Sequence, residues 1–397
     1  MSHSERIAFV SPRFAEGATV GGAETLLKAL ANRAADAGRT VTFITTCATN
    51  HFSWENDVAP GARKIGELDV MFFPVDEDRD VESFLRAQEA ICRGYATEDE
   101  EETWLTNGVR SQALYDHLES HHGEYDRIVL GPYLYGLIVR AAGIDPAKSL
   151  LVPCLHDEPF ARVGAIVDMF RSVRGFMFNA EQERALACDL YGLPAAGNGD
   201  QLISVVGMGL DPFEANPESF KNSHSIDAPY VIYCGRRELL KGTPMLIDYM
   251  AAFRRRTGRD VKAVFTGTGQ IDTPADLSAH VIDLGFVSEA EKHDAMAAAL
   301  AFCHPSVNES FGIVILEAWL AGTPCIVHSG STVLRYHCSA SNGGLWFRTY
   351  PEFEEELLAL LDRPSLAAGL GAAGRDYVMR EYSWERIEEK LLAALDA

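Results

Sequence analysis

The chain has 397 residues, 47% of them hydrophobic and 23% charged, which allows two or three domains with large cores and excludes a disordered chain. Its formal net charge of −22 argues against nucleic-acid binding, where Lys and Arg must neutralise phosphates, and against a polybasic grip on an anionic membrane. No apolar run approaches the ~20 residues of a membrane span, and the first six residues lead into a strand rather than a signal peptide, so a soluble, cytoplasmic protein is expected.

In chain order, Ile7–Pro12 reads as a short buried strand, followed by glycines and an amphipathic helix from about Ala23 to Ala37. Gly21-Gly22-Ala23-Glu24 opens that helix. Paired glycines at a helix start admit close approach of a ligand to free N–H groups, although turn flexibility explains them equally well. Strands follow at Val41–Cys47, Met71–Val75, Ile128–Leu130, Leu150–Leu155, Gly175–Phe178 and Ile203–Val206, with helical segments between most of them. His156-Asp157 ends the Leu150–Leu155 strand. The acidic runs Asp76–Asp80 and Glu98–Glu102 read as solvated surface, and Asp76-Glu77-Asp78 is not taken as a metal motif. His117, His121 and His122 lack a second ligand cluster, so no metal is assigned.

The pattern breaks at Leu210-Asp-Pro-Phe-Glu-Ala-Asn-Pro217 and then restarts. Strands are expected at Tyr230–Cys234, Val261–Thr266, Val281–Leu284, Leu300–His304 and Pro324–Val327, with helices at Pro244–Arg256, Glu289–Ala299, Phe311–Ala321 and Glu352–Leu361. Strands alternating with helices imply parallel sheets covered on both faces. Two such halves make an α/β chain of two Rossmann-like domains, with ligands at the carboxyl ends of the strands. The eight cysteines are scattered without C-x-x-C spacing and read as reduced thiols.

Two segments of the second half carry chemistry. Gly235-Arg236-Arg237-Glu238-Leu239-Leu240-Lys241-Gly242 puts cations at a strand's carboxyl end and at the next helix start. A Lys there opposes the helix dipole, so an anion is expected nearby. Glu309-Ser310-Phe311-Gly312-Ile-Val-Ile-Leu-Glu317 sets two carboxylates on either side of a Ser-Phe-Gly turn and an apolar helix. Buried within that helix, Glu317 needs a partner. The Phe311 and Gly312 amides would meet a diphosphate at the helix start, and Glu317 lies about 7.5 Å further along the axis. A nucleoside diphosphate sugar fits this layout, with Glu309 on the sugar and Glu317 on the ribose.

Together with Val206-Gly-Met-Gly-Leu-Asp211, Phe265-Thr-Gly-Thr-Gly269, Glu317-Ala-Trp-Leu-Ala-Gly-Thr-Pro324 and Tyr382-Ser-Trp384, these segments resemble the retaining glycosyltransferases of family 4 (glycosyltransferase group 1, E-x7-E motif). The resemblance implies the GT-B architecture, two facing Rossmann-like domains with a C-terminal helix crossing back to the first. It implies an acceptor-binding domain at 1–210 plus 378–397 and a donor-binding domain at 211–377. It further implies a metal-independent, retaining hexosyl transfer from a nucleotide-sugar donor to a hydroxyl acceptor, with no cofactor. His156, Glu309, Arg236 and Lys241 would be catalytic. Gly21, Gly22, Arg236, Lys241, Ser310, Phe311, Gly312 and Glu317 would bind the donor. Surface polysaccharide or glycoconjugate synthesis is the expected setting, with acceptor choice around His51–Trp54, residues 76–102 and Tyr133–Tyr135. A homo-oligomer is compatible with this reading; nucleic acid is not. The competing readings are a non-catalytic scaffold and a sugar-nucleotide epimerase or hydrolase. After Pro324–Gly330 the chain departs from the family's pattern with Ser331-Thr-Val-Leu-Arg335, so donor specificity does not carry over. Asn342-Gly-Gly344 is read as a substitute phosphate-side loop.

Overall fold

A computed structural model describes residues 5–16, 21–194 and 201–397. The chain divides into two compact units, residues 1–208 with 387–397, and residues 209–386.

The first unit is built on an eight-stranded sheet ordered β3-β4-β2-β1-β5-β6-β7-β8. The strands are β1 Arg6–Val10, β2 Thr40–Thr46, β3 Gly61–Ile65, β4 Leu68–Phe73, β5 Arg127–Leu130, β6 Ser149–Leu151, β7 Gly175–Phe178 and β8 Leu202–Val205. All neighbours are parallel except β3 and β4. The central strands bury Ile7–Val10, Ile128–Leu130 and Leu150–Leu151 completely, as a parallel sheet covered on both faces requires. β3 was not anticipated because Gly-Ala-Arg-Lys-Ile is exposed and has no apolar face; it is a charged edge strand, which discourages further pairing. The Leu150–Leu155 strand stops at Leu151 because Pro153 follows and Cys154 turns the chain at φ 54°.

The second unit carries a six-stranded parallel sheet ordered β11-β10-β9-β12-β13-β14. Its strands are β9 Tyr230–Cys234, β10 Lys262–Thr266, β11 Val281–Gly285, β12 Ala301–His304, β13 Cys325–His328 and β14 Gly344–Phe347. The strand order reverses about β9, so β9 and β12 leave a switch point at their carboxyl ends, where such sheets bind ligands. β14 corrects the reading of Asn342-Gly-Gly344 as a phosphate loop. Gly344 is a strand residue, and a Cβ on Gly343 would fall 2.7 Å from the Trp319 indole nitrogen. Gly343 admits the Trp319 ring, whose Nε1 donates to the Gly343 carbonyl at 2.7 Å, and Gly344 the close approach of the Cys325 carbonyl.

The division between units falls within the last helix, Trp384–Asp396, whose residues from Ile387 onward group with the first unit. Ile387, Leu391, Ala394 and Leu395 are buried. Arg39 pairs with Asp396, and Arg174 donates to the Ala397 carbonyl at 2.6 Å. All eight cysteines are free thiols; Cys92 is exposed, whereas Cys47, Cys234, Cys303, Cys325 and Cys338 are buried.

Candidate functional site

The loop after β9 is shaped by backbone that only glycine fills readily. Gly235, Gly267 and Gly269 have φ of 145°, 117° and 105°, and a Cβ on Gly267 would sit 2.1 Å from the Gly235 carbonyl oxygen. The loops after β9 and β10 therefore lie directly on one another. Arg237 ties them together and is buried there: its Nη2 donates to the Gly267 carbonyl at 2.6 Å, its main-chain N–H to Thr268 O at 2.8 Å, and its guanidinium pairs with Asp283. The two arginines of the motif thus divide their work. Arg237 is structural, while the Arg236 side chain is 54% exposed and, among the described residues, has its ion pair with Glu238, at 3.6 Å. Tyr233 holds the loop from below, donating to the Arg236 carbonyl at 2.7 Å.

Lys241 closes a single 3-10 turn ahead of the helix Thr243–Thr257. The expected anion beside it is Glu309, whose Oε1 lies 2.7 Å from Nζ. Lys241 is thus committed to a carboxylate of the same unit. His304, at the end of β12 and 3% exposed, brings Nε2 to 3.0 Å of the same Glu309 oxygen. Burial alone would raise the Glu309 carboxyl. His304 and then Lys241 override it and hold the group well below the ordinary carboxylate range. Glu309 is thus a fixed anion, held through Oε1. His304 ended an expected strand but was given no role; its place at the carboxyl end of a central strand was the available signal.

The helix after Glu309 begins at Ile313, two residues later than expected, with Gly312 as its N-cap at φ 78°. A Cβ on Gly312 would collide with Leu334 at 2.4 Å, which adds close packing to the conformational requirement. The unsatisfied amides of the first turn begin at Ile313 rather than Phe311. The Phe311 side chain instead packs edge-on against His337 and Tyr382, with ring centroids 6.0 and 5.5 Å away, and anchors the turn. Ser310 is partly exposed between Glu309 and this anchor.

Glu317 finds the partner its burial demanded. Lys292, on the helix Glu289–Ala297, brings Nζ to 3.1 Å from Oε1 and 3.0 Å from Oε2. Burial still raises the Glu317 carboxyl, with Lys292 pulling against it. The same ammonium lies 2.6 Å from Glu289. Glu289, His293 and Glu317 bring ligand-type atoms within 4.8 Å of one another, but Lys292 already supplies the positive charge between the two carboxylates. The His293 ring stacks on Phe213 at 3.5 Å. Lys292 was missed because a lone Lys in a polar helix resembles solvated surface.

Gly21, Gly22 and His156 belong to the first unit. Gly21 is the N-cap of the helix Gly22–Asp36, and a Cβ there would lie 2.1 Å from the Glu24 carboxylate. Glu24 is buried and paired with Arg13, whose Nη1 donates to the Thr49 carbonyl at 2.9 Å. Gly21 thus makes room for a buried ion pair, whereas Gly22 faces open space. Residues 17–20 ahead of them lie outside the described part of the chain. His156 follows Leu155, whose N–H is gripped at 2.6 Å by the buried carboxylate of Glu183. The other Glu183 oxygen accepts from Asn179 N–H at 2.5 Å, so one side chain fixes the chain ends beyond β6 and β7. Burial pushes the Glu183 carboxyl up to about 8 against these bonds. His117 and His121 stack at 4.3 Å and are linked through His121 Nδ1 and the His117 carbonyl.

The family model described as Glycosyl transferases group 1 matches residues 215–377. Phosphatidyl-myo-inositol mannosyltransferase of Mycobacterium tuberculosis is 31% identical over 173 residues, 41% of this chain and 45% of that protein. The GDP-mannose-dependent monoacylated alpha-(1-6)-phosphatidylinositol monomannoside mannosyltransferase of Corynebacterium glutamicum is 28% identical over 175 residues, 41% of this chain and 44% of that one. The chain thus spans about half the length of the curated relatives it matches. Among solved structures, sucrose-phosphate synthase from Thermosynechococcus elongatus superposes with a TM-score of 0.71 at 16% identity over 98% of both chains. Anabaena HepE in complex with UDP and glucose gives 0.70 at 16% identity over 99% of both. The match to the glycosyl transferases group 1 model lies within the second unit, and the fold of the chain is the α/β GT-B fold of these solved glycosyltransferases.

Proposed function

We propose that this protein transfers a hexosyl group from a nucleoside diphosphate sugar to a hydroxyl acceptor, with retention at the anomeric carbon and without a resident metal. The observation that supports it most is the grouping at the carboxyl ends of β9 and β12. There Glu309 is held as an anion by Lys241 and His304, with the exposed guanidinium of Arg236 on the loop after β9 and the first turn of the helix Ile313–Leu320 following Glu309 in the chain. A scaffold has no use for a buried, doubly held carboxylate, which costs stability unless paired.

In this reading the Arg236 guanidinium and the free amides at the helix start meet the departing diphosphate. Positive charge fixed in advance where negative charge develops lowers the barrier without reorganisation. Lys241 adds positive potential while orienting Glu309 through Oε1, which leaves Oε2 for the hydroxyls of the transferred sugar. Glu317, held by Lys292, takes the ribose hydroxyls. Metal independence is favoured because Lys292 stands where a cation would neutralise Glu289 and Glu317. Glu309 is committed to two cations and so is not placed as a glycosidase-type nucleophile. Attack from the face of the leaving group, with a phosphate oxygen taking the acceptor's proton, is the consistent route to retention. For His156, Gly21 and Gly22, facing sugar or acceptor, the assignment is carried by the resemblance.

The test is product analysis in EDTA with a set of nucleotide sugars, with and without hydroxyl acceptors, reading the new anomeric configuration by NMR. An acceptor-dependent product of unchanged anomeric configuration is expected. Sugar released only to water, or an epimerised nucleotide sugar, would replace this reading with the hydrolase or epimerase one.

A further inference from the structure

The first unit contains a cavity of about 850 Å³ that none of the donor chemistry uses. Its volume lies within the range of small-molecule sites. Leu105, Val139, Ala165 and the ring of Tyr115 give it apolar walls. Arg140 lies over that ring, 4.7 Å from its centroid, and 3.8 Å from Glu119.

The polar groups of the lining are unequally committed. Asp76 and Asp78 both pair with Arg110, and Asp76 also accepts the Gln112 main-chain N–H at 3.1 Å. The Gln112 side chain is turned onto Asp116 at 2.7 Å. Glu77 and Glu102 also line the cavity, and among the described residues neither carboxylate has an ion pair or side-chain hydrogen bond. The charged groups left for a ligand are thus two exposed carboxylates, and both cations are already engaged.

We propose that this cavity binds a polyhydroxylated ligand that is neutral or carries an amine, and that it selects against anionic ligands. Sugar C–H faces pack on the Tyr115, Leu105 and Val139 walls, while hydroxyl or ammonium groups donate to Glu77 and Glu102. A phosphate would meet two unpaired carboxylates and no uncommitted cation. Calling this ligand the acceptor rests on the transferase reading above; the binding preference does not. It also sets this chain apart from relatives named for phosphatidyl-myo-inositol, whose headgroup is anionic.

The test compares glucosamine, glucose and glucose 6-phosphate, which differ chiefly in charge, as probes of the full chain by saturation-transfer NMR and calorimetry. Nucleoside diphosphates are titrated in parallel. Glucosamine is expected to bind best and glucose 6-phosphate at least about tenfold more weakly than glucosamine, the scale set by like charges at close range. The double variant Glu77→Gln/Glu102→Gln should level the three affinities. Thr106→Trp, an exposed position on the cavity wall, should weaken all three and leave nucleotide affinity unchanged. Glucose 6-phosphate binding as well as glucosamine, indifference to Thr106→Trp, or no binding of any probe would overturn the proposal. Sugar binding in the expected order with no nucleotide binding would instead overturn the transferase reading and leave the cavity assignment standing.

Discussion

Glu309 shows how charge placement can outweigh burial at a single residue. Its carboxylate is 14% exposed, yet His304 and Lys241 hold it below the ordinary carboxylate range. A depressed acid contributes stability that is present above its unfolded pKa, about 4.3, and is lost as pH falls through the folded value. Lys241→Met removes one of the two cations while the burial remains, so the Glu309 carboxyl should titrate at higher pH. Turnover at neutral pH should fall about a hundredfold, as when one fixed charge at a reacting centre is lost. The check is carboxyl-carbon NMR with selectively labelled Glu, read beside kcat. An unmoved Glu309 titration would mean that His304 alone sets the charge. At this scale the sequence was half legible. The anion beside Lys241 and the partner for Glu317 were both required by elementary electrostatics, but the partners' identities came from residues distant in sequence. Glu309 is 68 positions from Lys241, and Glu317 is 25 from Lys292.

Among the elements, the two glycine loops after β9 and β10 hold the least slack. Gly267→Ala would place a methyl 2.1 Å from the Gly235 carbonyl at a φ of 117°, which L side chains rarely adopt. The expected loss is about 1–3 kcal/mol from backbone strain, together with displacement of the Arg236 loop. Chemical denaturation gives the first and nucleotide affinity the second. Gly258→Ala, at a helix C-cap with φ 66° but open surroundings, separates strain from collision. A variant at Gly267 with undiminished nucleotide affinity would show that the loops are not coupled to the site. Elements with strong apolar runs, such as Tyr230–Cys234 and Gly175–Phe178, were readable to the residue. The helix Tyr350–Asp362 starts before the expected Glu352 because Thr349 and Glu352 form a capping box, a signal present in the sequence. β3 and β14 gave no such signal, one being exposed and charged, the other four residues long behind a glycine pair.

For the molecule as a whole, alternation of strands and helices was enough to foresee two parallel α/β sheets, because that pattern has few packed solutions. The sequence was mute on what the spaces between elements hold. The cavity of the first unit is assembled from segments as far apart as Asp76 and Ala165; residues 76–102 were expected to bear on acceptor choice, but the distant segments that close the cavity around them were not named. Among the described residues no helix is long and apolar enough to cross a membrane. The central claim is a nucleotide site in the second unit that needs no metal. It is tested most directly by calorimetric titration with UDP, GDP, ADP and dTDP in EDTA, on the wild type, Arg236→Ala and Glu317→Ala. One nucleotide should bind, and each substitution should weaken it about tenfold or more, the scale of a lost charge-assisted hydrogen bond. Binding by none of the four, or binding that both substitutions leave intact, would contradict the account.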